Sequence, residues 1–204
     1  MGLFGYAFGQ VDDAGYPIDH DEPEGPIVKY SGQKPTITDF VDAIVSQEVL
    51  SEAVSAMARE WENYRAGKSL RKGSSFTVDT KNGYIRYDAE YEEGEKSSIE
   101  YCYWNCADGK HKLLAESIML VMDGHAVETE LTGIGYYMYD NATHRLAWAY
   151  PFQIGADVEP PDGTTEVYRS LPRVGKSIEF VFVTPKGKQT KRITWNGSKF
   201  TNEK

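Results

Sequence analysis

From Gly73 onward apolar and polar residues alternate with a period of two. The alternation is interrupted at short intervals by turn pairs: Asn82-Gly83, Asp108-Gly109, Asp123-Gly124, Asn141-Ala142 and Lys186-Gly187. A period of two belongs to strands, whose successive side chains point to opposite faces. Asn-Gly and Asp-Gly favour the tight type I′ turn, because both of its central residues need positive φ. Hairpins following one another in this way require consecutive antiparallel strands. They exclude βαβ units, whose crossovers need a dozen or more residues each.

The turn pairs also predict registers. Asn82-Gly83 sets Val78 opposite Tyr87, Phe76 opposite Ala89 and Thr80 opposite Ile85, with Asp79/Arg86 and Thr77/Asp88 on the other face. Asp108-Gly109 pairs Trp104 with Leu113 and Tyr103 with Leu114. Asp123-Gly124 pairs Leu120 with Val127 and Ile118 with Thr129. Asn141-Ala142 pairs Tyr137 with Leu146 and sets Trp148 opposite Gly135, where an indole would cover a position without a side chain. Lys186-Gly187 stacks Phe180 on Ile193 and Ile178 on Trp195.

Before these strands the period is helical. Leu50, Ala53/Val54, Met57/Ala58, Trp61 and Tyr64 recur every three or four residues, with Phe40, Val41, Ile44 and Val45 as a shorter stripe ahead of them. Thr38 is a candidate N-cap and Gly67 a natural stop. The expectation is one bent helix, or a pair meeting near Ser46–Leu50. The fold class is therefore α+β: an N-terminal helix or helix pair followed by about nine mainly antiparallel strands. So many strands exceed what one flat sheet holds comfortably and curl into a sandwich or an open barrel. Residues 1–35 read as a lead-in and 36–204 as a single domain, helical over 38–66 and β-rich over 74–200. One long irregular connection, 151–172, carries Pro151, Pro160, Pro161 and Pro172; long loops in compact domains often carry function.

Composition excludes some functions. With 22 Lys+Arg against 31 Asp+Glu the formal net charge is −9, and no basic stripe offers a nucleic-acid surface. No apolar run approaches the roughly 20 residues of a membrane-spanning helix. In the lead-in, Ala7 and Gly9 stand where a signal peptidase selects small side chains, so the start reads as the remnant of an export signal. The acids of residues 11–35 read as a solvated, extended stretch. Asp19-His20-Asp21-Glu22 lacks the acid spacing and the glycine of a Ca²⁺ loop.

Cys102 and Cys106 are the only cysteines. On one continuous strand they share a face about 13 Å apart, beyond the roughly 7 Å a disulfide allows. A bridge would need the strand to end at Trp104. Cys106 lies opposite His111, which sketches a Cys–His nucleophile pair or two of the ligands of a zinc site. His20, His125 and His144 have no metal-ligand spacing relative to them, so neither a metal nor a cofactor is expected. Gly133-Ile-Gly135 lacks the following helix of a dinucleotide site, and there is no G-x-S-x-G or H-E-x-x-H.

Aromatic residues are the stronger thread. Among 14 tyrosines and 4 tryptophans, Tyr136 falls on one face of its strand and Tyr137 and Tyr139 on the other, with Trp148 and His144 across from them. Either both faces are covered, or the remainder is an aromatic surface suited to sugar rings or a protein partner. Tyr137, Tyr139, His144 and Trp148 are the candidate ligand-binding residues.

The segments Cys102-Tyr-Trp-Asn-Cys106 with Asp108-Gly-Lys-His-Lys-Leu113, Tyr139-Asp-Asn141, Leu171-Pro-Arg-Val-Gly-Lys176 and Trp195-Asn-Gly-Ser-Lys-Phe200 resemble a group of exported proteins of Bacteroidetes-type bacteria. The resemblance covers about residues 36–200. It implies export to the periplasm or cell surface and a β-rich fold, and supplies no catalytic residues. The sequence reading is thus a non-enzymatic envelope domain that binds a protein or glycan. Two rivals stand beside it. One is a hydrolase using a carboxylate pair, or Cys106/His111, near the 151–172 loop; the other is a structural subunit of an envelope assembly.

Overall fold

The computed structural model describes residues 10–11, 17–18, 25–47, 50–91 and 94–202. The export cue at Ala7 and Gly9 and the acidic run at 19–22 lie outside the described residues. Two short strands, β1 (Gln10–Val11) and β2 (Pro17–Ile18), pair with each other. Helices α1 (Ile37–Val45) and α2 (Glu52–Arg65) follow. The strands β3 (Ser74–Asp79), β4 (Tyr84–Glu90), β5 (Lys96–Asn105), β6 (His111–Met122), β7 (His125–Val127), β8 (Gly133–Asp140) and β9 (Leu146–Trp148) build one sheet. Its order is β3-β4-β5-β6-β8-β9, with β7 paired to β6. The strands β10 (Glu166–Ser170), β11 (Ser177–Thr184), β12 (Gly187–Trp195) and β13 (Phe200–Asn202) form a second sheet in sequence order. Every described ladder is antiparallel. The two sheets hold eleven strands instead of about nine: the additional ones are β10, which lies within the Pro-rich interval 151–172, and the three-residue β13, too short for alternation to be read.

The helix boundaries have local causes. Thr36, not Thr38, is the N-cap of α1: the Asp39 carboxylate accepts from the Thr36 N–H and hydroxyl, each at 2.7 Å. At the other end the Ser46 hydroxyl and the Gln47 amide donate to the carbonyls of Ala43 and Ile44, ending α1. Ser51 then opens α2 by accepting from the Val54 amide at 3.3 Å.

Alternation sorts the chain into three layers. On β5, β6 and β8 the side chains of Ile99, Tyr101, Leu114, Ile118 and Tyr139 face the helices and pack with Phe40, Met57 and Trp61. The intervening Cys102, Trp104, Leu113, Ala115, Tyr136 and Met138 face the second sheet and pack with Ile178, Phe180, Phe182, Ile193, Trp195 and Phe200. Helices, large sheet and small sheet are stacked in that order.

The registers at Asp108-Gly109 and Asp123-Gly124 are those expected, Tyr103 with Leu114 and Leu120 with Val127. Asp123 and Gly124 have φ of 52° and 83°, as a two-residue type I′ turn requires. Ile118, however, pairs with Gly133 of β8 and not with Thr129, because β7 ends at Val127. Three other hairpins are displaced by two residues. Phe76 pairs with Tyr87 and Val78 with Ile85, because the Asp79 carboxylate binds the Asn82 backbone and side-chain amides and closes a four-residue loop. Tyr137 pairs with Trp148 for the same kind of reason: Asp140 accepts from the Ala142 amide and the Thr143 hydroxyl. Ile178 pairs with Ile193 because the tight turn is Pro185-Lys186, with Thr184 opposite Gly187. A displacement of two preserves which face each side chain occupies, so the expected layers survive.

The Trp195-to-Phe200 segment clips the small sheet to the large one. Trp195 pairs with Phe200 across β12 and β13, and its indole N–H donates to the Asn105 carbonyl at 3.3 Å. Phe200 meets Trp104 edge-on at 5.5 Å. Trp195→Ala should therefore cost about 3–5 kcal/mol as a core truncation, read from urea unfolding; a neutral result would contradict the clip. Gly83 has φ of +69°, and a Cβ there would lie 2.7 Å from the Tyr103 ring. Gly83→Val should lower stability by at least about 1 kcal/mol, and an unchanged melting curve would refute this geometry.

Candidate functional site

The four candidate aromatic-edge residues gather along β8 and β9 as two pairs. Tyr139 is fully buried, edge-on to Phe40 at 5.0 Å and stacked on the His144 ring at 6.4 Å. His144, at φ 58°, is also 3.3 Å from the Tyr30 hydroxyl. Tyr30 belongs to the lead-in, which runs along the β9 edge through Val28 N–H to the His144 carbonyl and Leu146 N–H to the Pro26 carbonyl. Nothing local in the sequence marks a partner 114 residues away. Tyr137 and Trp148 form a T-shaped pair at 5.1 Å. The indole leans diagonally over Gly135, where a Cβ would lie 3.0 Å from it. Tyr139 and His144 thus belong to the packing under the lead-in, and Trp148, 40% exposed, is the outward-facing member.

The catalytic pairs find little support in the geometry. Strand β5 continues through Asn105, so the two cysteines stay apart as free, buried thiols. Cys106 Sγ lies 3.8 Å from Met138 Sδ, and burial pushes its thiol up to about 12. At neutral pH it is a thiol and a poor nucleophile. His111 Nδ1 is 2.6 Å from Asp108 Oδ2. Among the described residues the buried carboxylates are Glu100 and Glu116, which point to opposite faces of the large sheet. Glu100, on the face toward the small sheet, accepts from the Tyr84 hydroxyl at 2.8 Å, Arg86 at 2.9 Å and the Leu171 amide at 2.7 Å. Glu116, on the helix side, accepts from the Tyr101 hydroxyl at 2.6 Å. A sheet stands between them, so they share no substrate space of the kind a glycosidase pair needs. Among the described residues no three His, Cys, Asp or Glu side chains gather as a metal site, and no helix is long and apolar enough to cross a membrane.

A concave site does exist, where the Pro-rich connection crosses the open side of the sandwich. A cleft of about 220 Å³ is lined by Ile134 and Tyr136 of β8, Pro151, Asp157 and Pro160 of the connection, and Arg169 of β10; Phe180 and Phe182 of β11 are its aromatic wall. The two phenylalanine rings are nearly parallel, 6° apart with centroids at 6.3 Å. Tyr136 is 1% exposed, yet its hydroxyl has no hydrogen-bond partner among the described residues. Burial raises that phenol well above the usual tyrosine range, and the nearby Arg169 guanidinium opposes the shift. Arg169 is held by Glu128 through two hydrogen bonds of 2.8 and 2.6 Å, a fork geometry that fixes the guanidinium plane. On the opposite face of β10 the Glu166 carboxylate accepts from the Ala126 amide and the Tyr168 hydroxyl, docking β7 onto β10.

Sequence reading pointed to the 151–172 connection but not to Tyr136 or Arg169. The parity separating Tyr136 from Tyr137 was visible. Which face opened onto a cleft was not, because β10 lay hidden inside the interval taken as irregular. Comparisons with protein-family models, with curated proteins and with solved structures find no match to this chain.

Glu116 provides a test of these electrostatics. Burial raises its carboxyl above the ordinary 4.5, and the Tyr101 hydrogen bond only partly offsets this. A carboxyl whose folded pKa is raised stabilises the fold fully below its unfolded value; that contribution is lost as pH rises through the folded pKa. Glu116→Gln should therefore raise stability at pH 7 relative to the parent and leave it nearly unchanged near pH 4. Urea midpoints at the two pH values check this, and an equal loss at both would contradict it.

Proposed function

We propose that this chain is an exported α+β domain of the bacterial envelope that binds a protein or glycan without chemically changing it. On this reading its helix pair backs a β-sandwich, and the cleft beneath the 151–160 segment receives the ligand. The observation that carries the reading is the Tyr136 hydroxyl on the cleft wall, buried and without a partner among the described residues. An unsatisfied buried hydroxyl costs roughly 1–3 kcal/mol, so a bound polar group that satisfied it would gain what the free protein lacks. Apolar walls with a few convergent polar groups are the usual construction of a ligand site.

Binding is favoured over hydrolysis by what the cleft contains. Its polar side chains are a phenol, a guanidinium already forked by Glu128, and one carboxylate, Asp157. None is a nucleophile activated by a neighbouring base. Export rests on the Ala7/Gly9 cue and on the resemblance of the Cys102–Leu113 and Trp195–Phe200 segments.

The test is an amide NMR titration of the full chain with a mixed panel of oligosaccharides and short peptides. A ligand should shift Gly133, Ile134 and Ala156 together. Tyr136→Phe should weaken it about tenfold, the equivalent of one neutral hydrogen bond, without loss of thermal stability. Shifts confined to the Trp148 edge, or none anywhere, would overturn the assignment of the cleft.

A further inference from the structure

We infer that the cleft accepts one uncharged pyranose ring, the end or a side branch of a neutral glycan, and that Glu128 sets this preference by holding Arg169. The inference rests on the binding reading above and narrows it. Size is the first argument: about 220 Å³ falls below the roughly 300–1,000 Å³ of pockets for drug-sized ligands. It suits a single ring, not a folded peptide segment.

Polar chemistry is the second argument. A sugar hydroxyl both donates and accepts, and needs partners of both kinds close together. The cleft offers a guanidinium that only donates, a carboxylate that only accepts and a phenol that does either, from Arg169, Asp157 and Tyr136. An anion would use only the donors and a cation only the acceptors. The aliphatic face of a pyranose also matches the apolar rim of Pro151 and Pro160, above a floor formed by the buried Phe180 and Phe182.

Charge is the third. Glu128 cancels the Arg169 charge through its two short bonds, which leaves the Asp157 carboxylate of the lining and the Lys191 ammonium, 5.7 Å from the Phe182 ring centroid, as two charges of opposite sign and no net field for an ion. The chain's net charge of −9 then disfavours an acidic sugar. Glu128 is thus a positioning residue. It orients the guanidinium for hydroxyls and removes the field that would draw in a uronate. Outside the cleft, Phe152 follows the lining residue Pro151, is 68% exposed and lies 5.9 Å from the Tyr150 ring. This pair offers a platform for the next ring of the glycan.

The experiment is a titration of the full, isotope-labelled chain with neutral methyl hexosides of gluco, galacto and manno configuration, and with methyl glucuronide and methyl glucosaminide. At least one neutral glycoside should shift Gly133, Ile134 and Ala156. The uronate should bind about fivefold more weakly, as one partly exposed charge repulsion implies. Glu128→Gln, which leaves the Arg169 charge uncompensated, should abolish or reverse that difference. Glu179→Gln, which alters an ion pair elsewhere on the small sheet, should leave it unchanged. Preference of the parent chain for the uronate or the amine, or indifference to Glu128→Gln, would overturn the inference. If short peptides move the cleft amides and no sugar does, this inference falls and the binding reading stands. If nothing moves them, both fall.

Discussion

The ladder between β5 and β6 is buried on both faces, and the rest of the fold is arranged around that fact. A sheet covered on one side needs only alternation. One covered on both must send an apolar side chain in each direction, and from Ile99 to Trp104 and from Leu113 to Ile118 it does. The helices and the small sheet are separate covers for these two faces. Polar residues on the ladder must then find partners in place, because a buried charge without one is costly. Glu100 recruits Tyr84, Arg86 and the Leu171 amide, and so ties the loop after β10 to the large sheet. Glu116 accepts from the Tyr101 hydroxyl, which only partly offsets the upward push of burial on its carboxyl.

Where the covers end, the molecule has edges. At β9 the lead-in segment around Ile27 lies against Arg145 and pairs along the strand, protecting a short edge that would otherwise be open to another strand. At β10 the link is made by side chains, Arg169 to Glu128 and Glu166 to the β7 amide. Between this link and the Pro-rich connection lies the cleft, and the Tyr136 hydroxyl on its wall has no hydrogen-bond partner among the described residues. The cleft lies where β8 of the seven-stranded sheet, β10 and β11 of the four-stranded sheet and the Pro-rich connection meet.

Much of this was legible in the chain. The Asp108-Gly109 pair set Tyr103 opposite Leu114 and Trp104 opposite Leu113 on the two faces of β5 and β6, and Asp123-Gly124 formed the turn its composition implies. Turn size was less legible. Asp79 and Asp140 close four-residue loops with their own carboxylates, and whether an aspartate does this depends on the strands it joins. Registers therefore moved by two while faces did not. The aromatic residues were legible as a group, but their roles were not. Tyr139 is absorbed by Phe40 and His144, whose partner Tyr30 comes from the distant lead-in. Tyr136 lines a cleft whose other wall, β10, lay within a proline-rich interval that masks strand periodicity.

Native-state hydrogen exchange measures two-sided burial most directly, since amides in the doubly covered ladder exchange only when the whole fold opens. The slowest amides should be those of residues 99–104 and 113–118, all with the same opening free energy, and slower than α1, α2 and β13. Early exchange of that ladder, ahead of the helices or the small sheet, would contradict the arrangement.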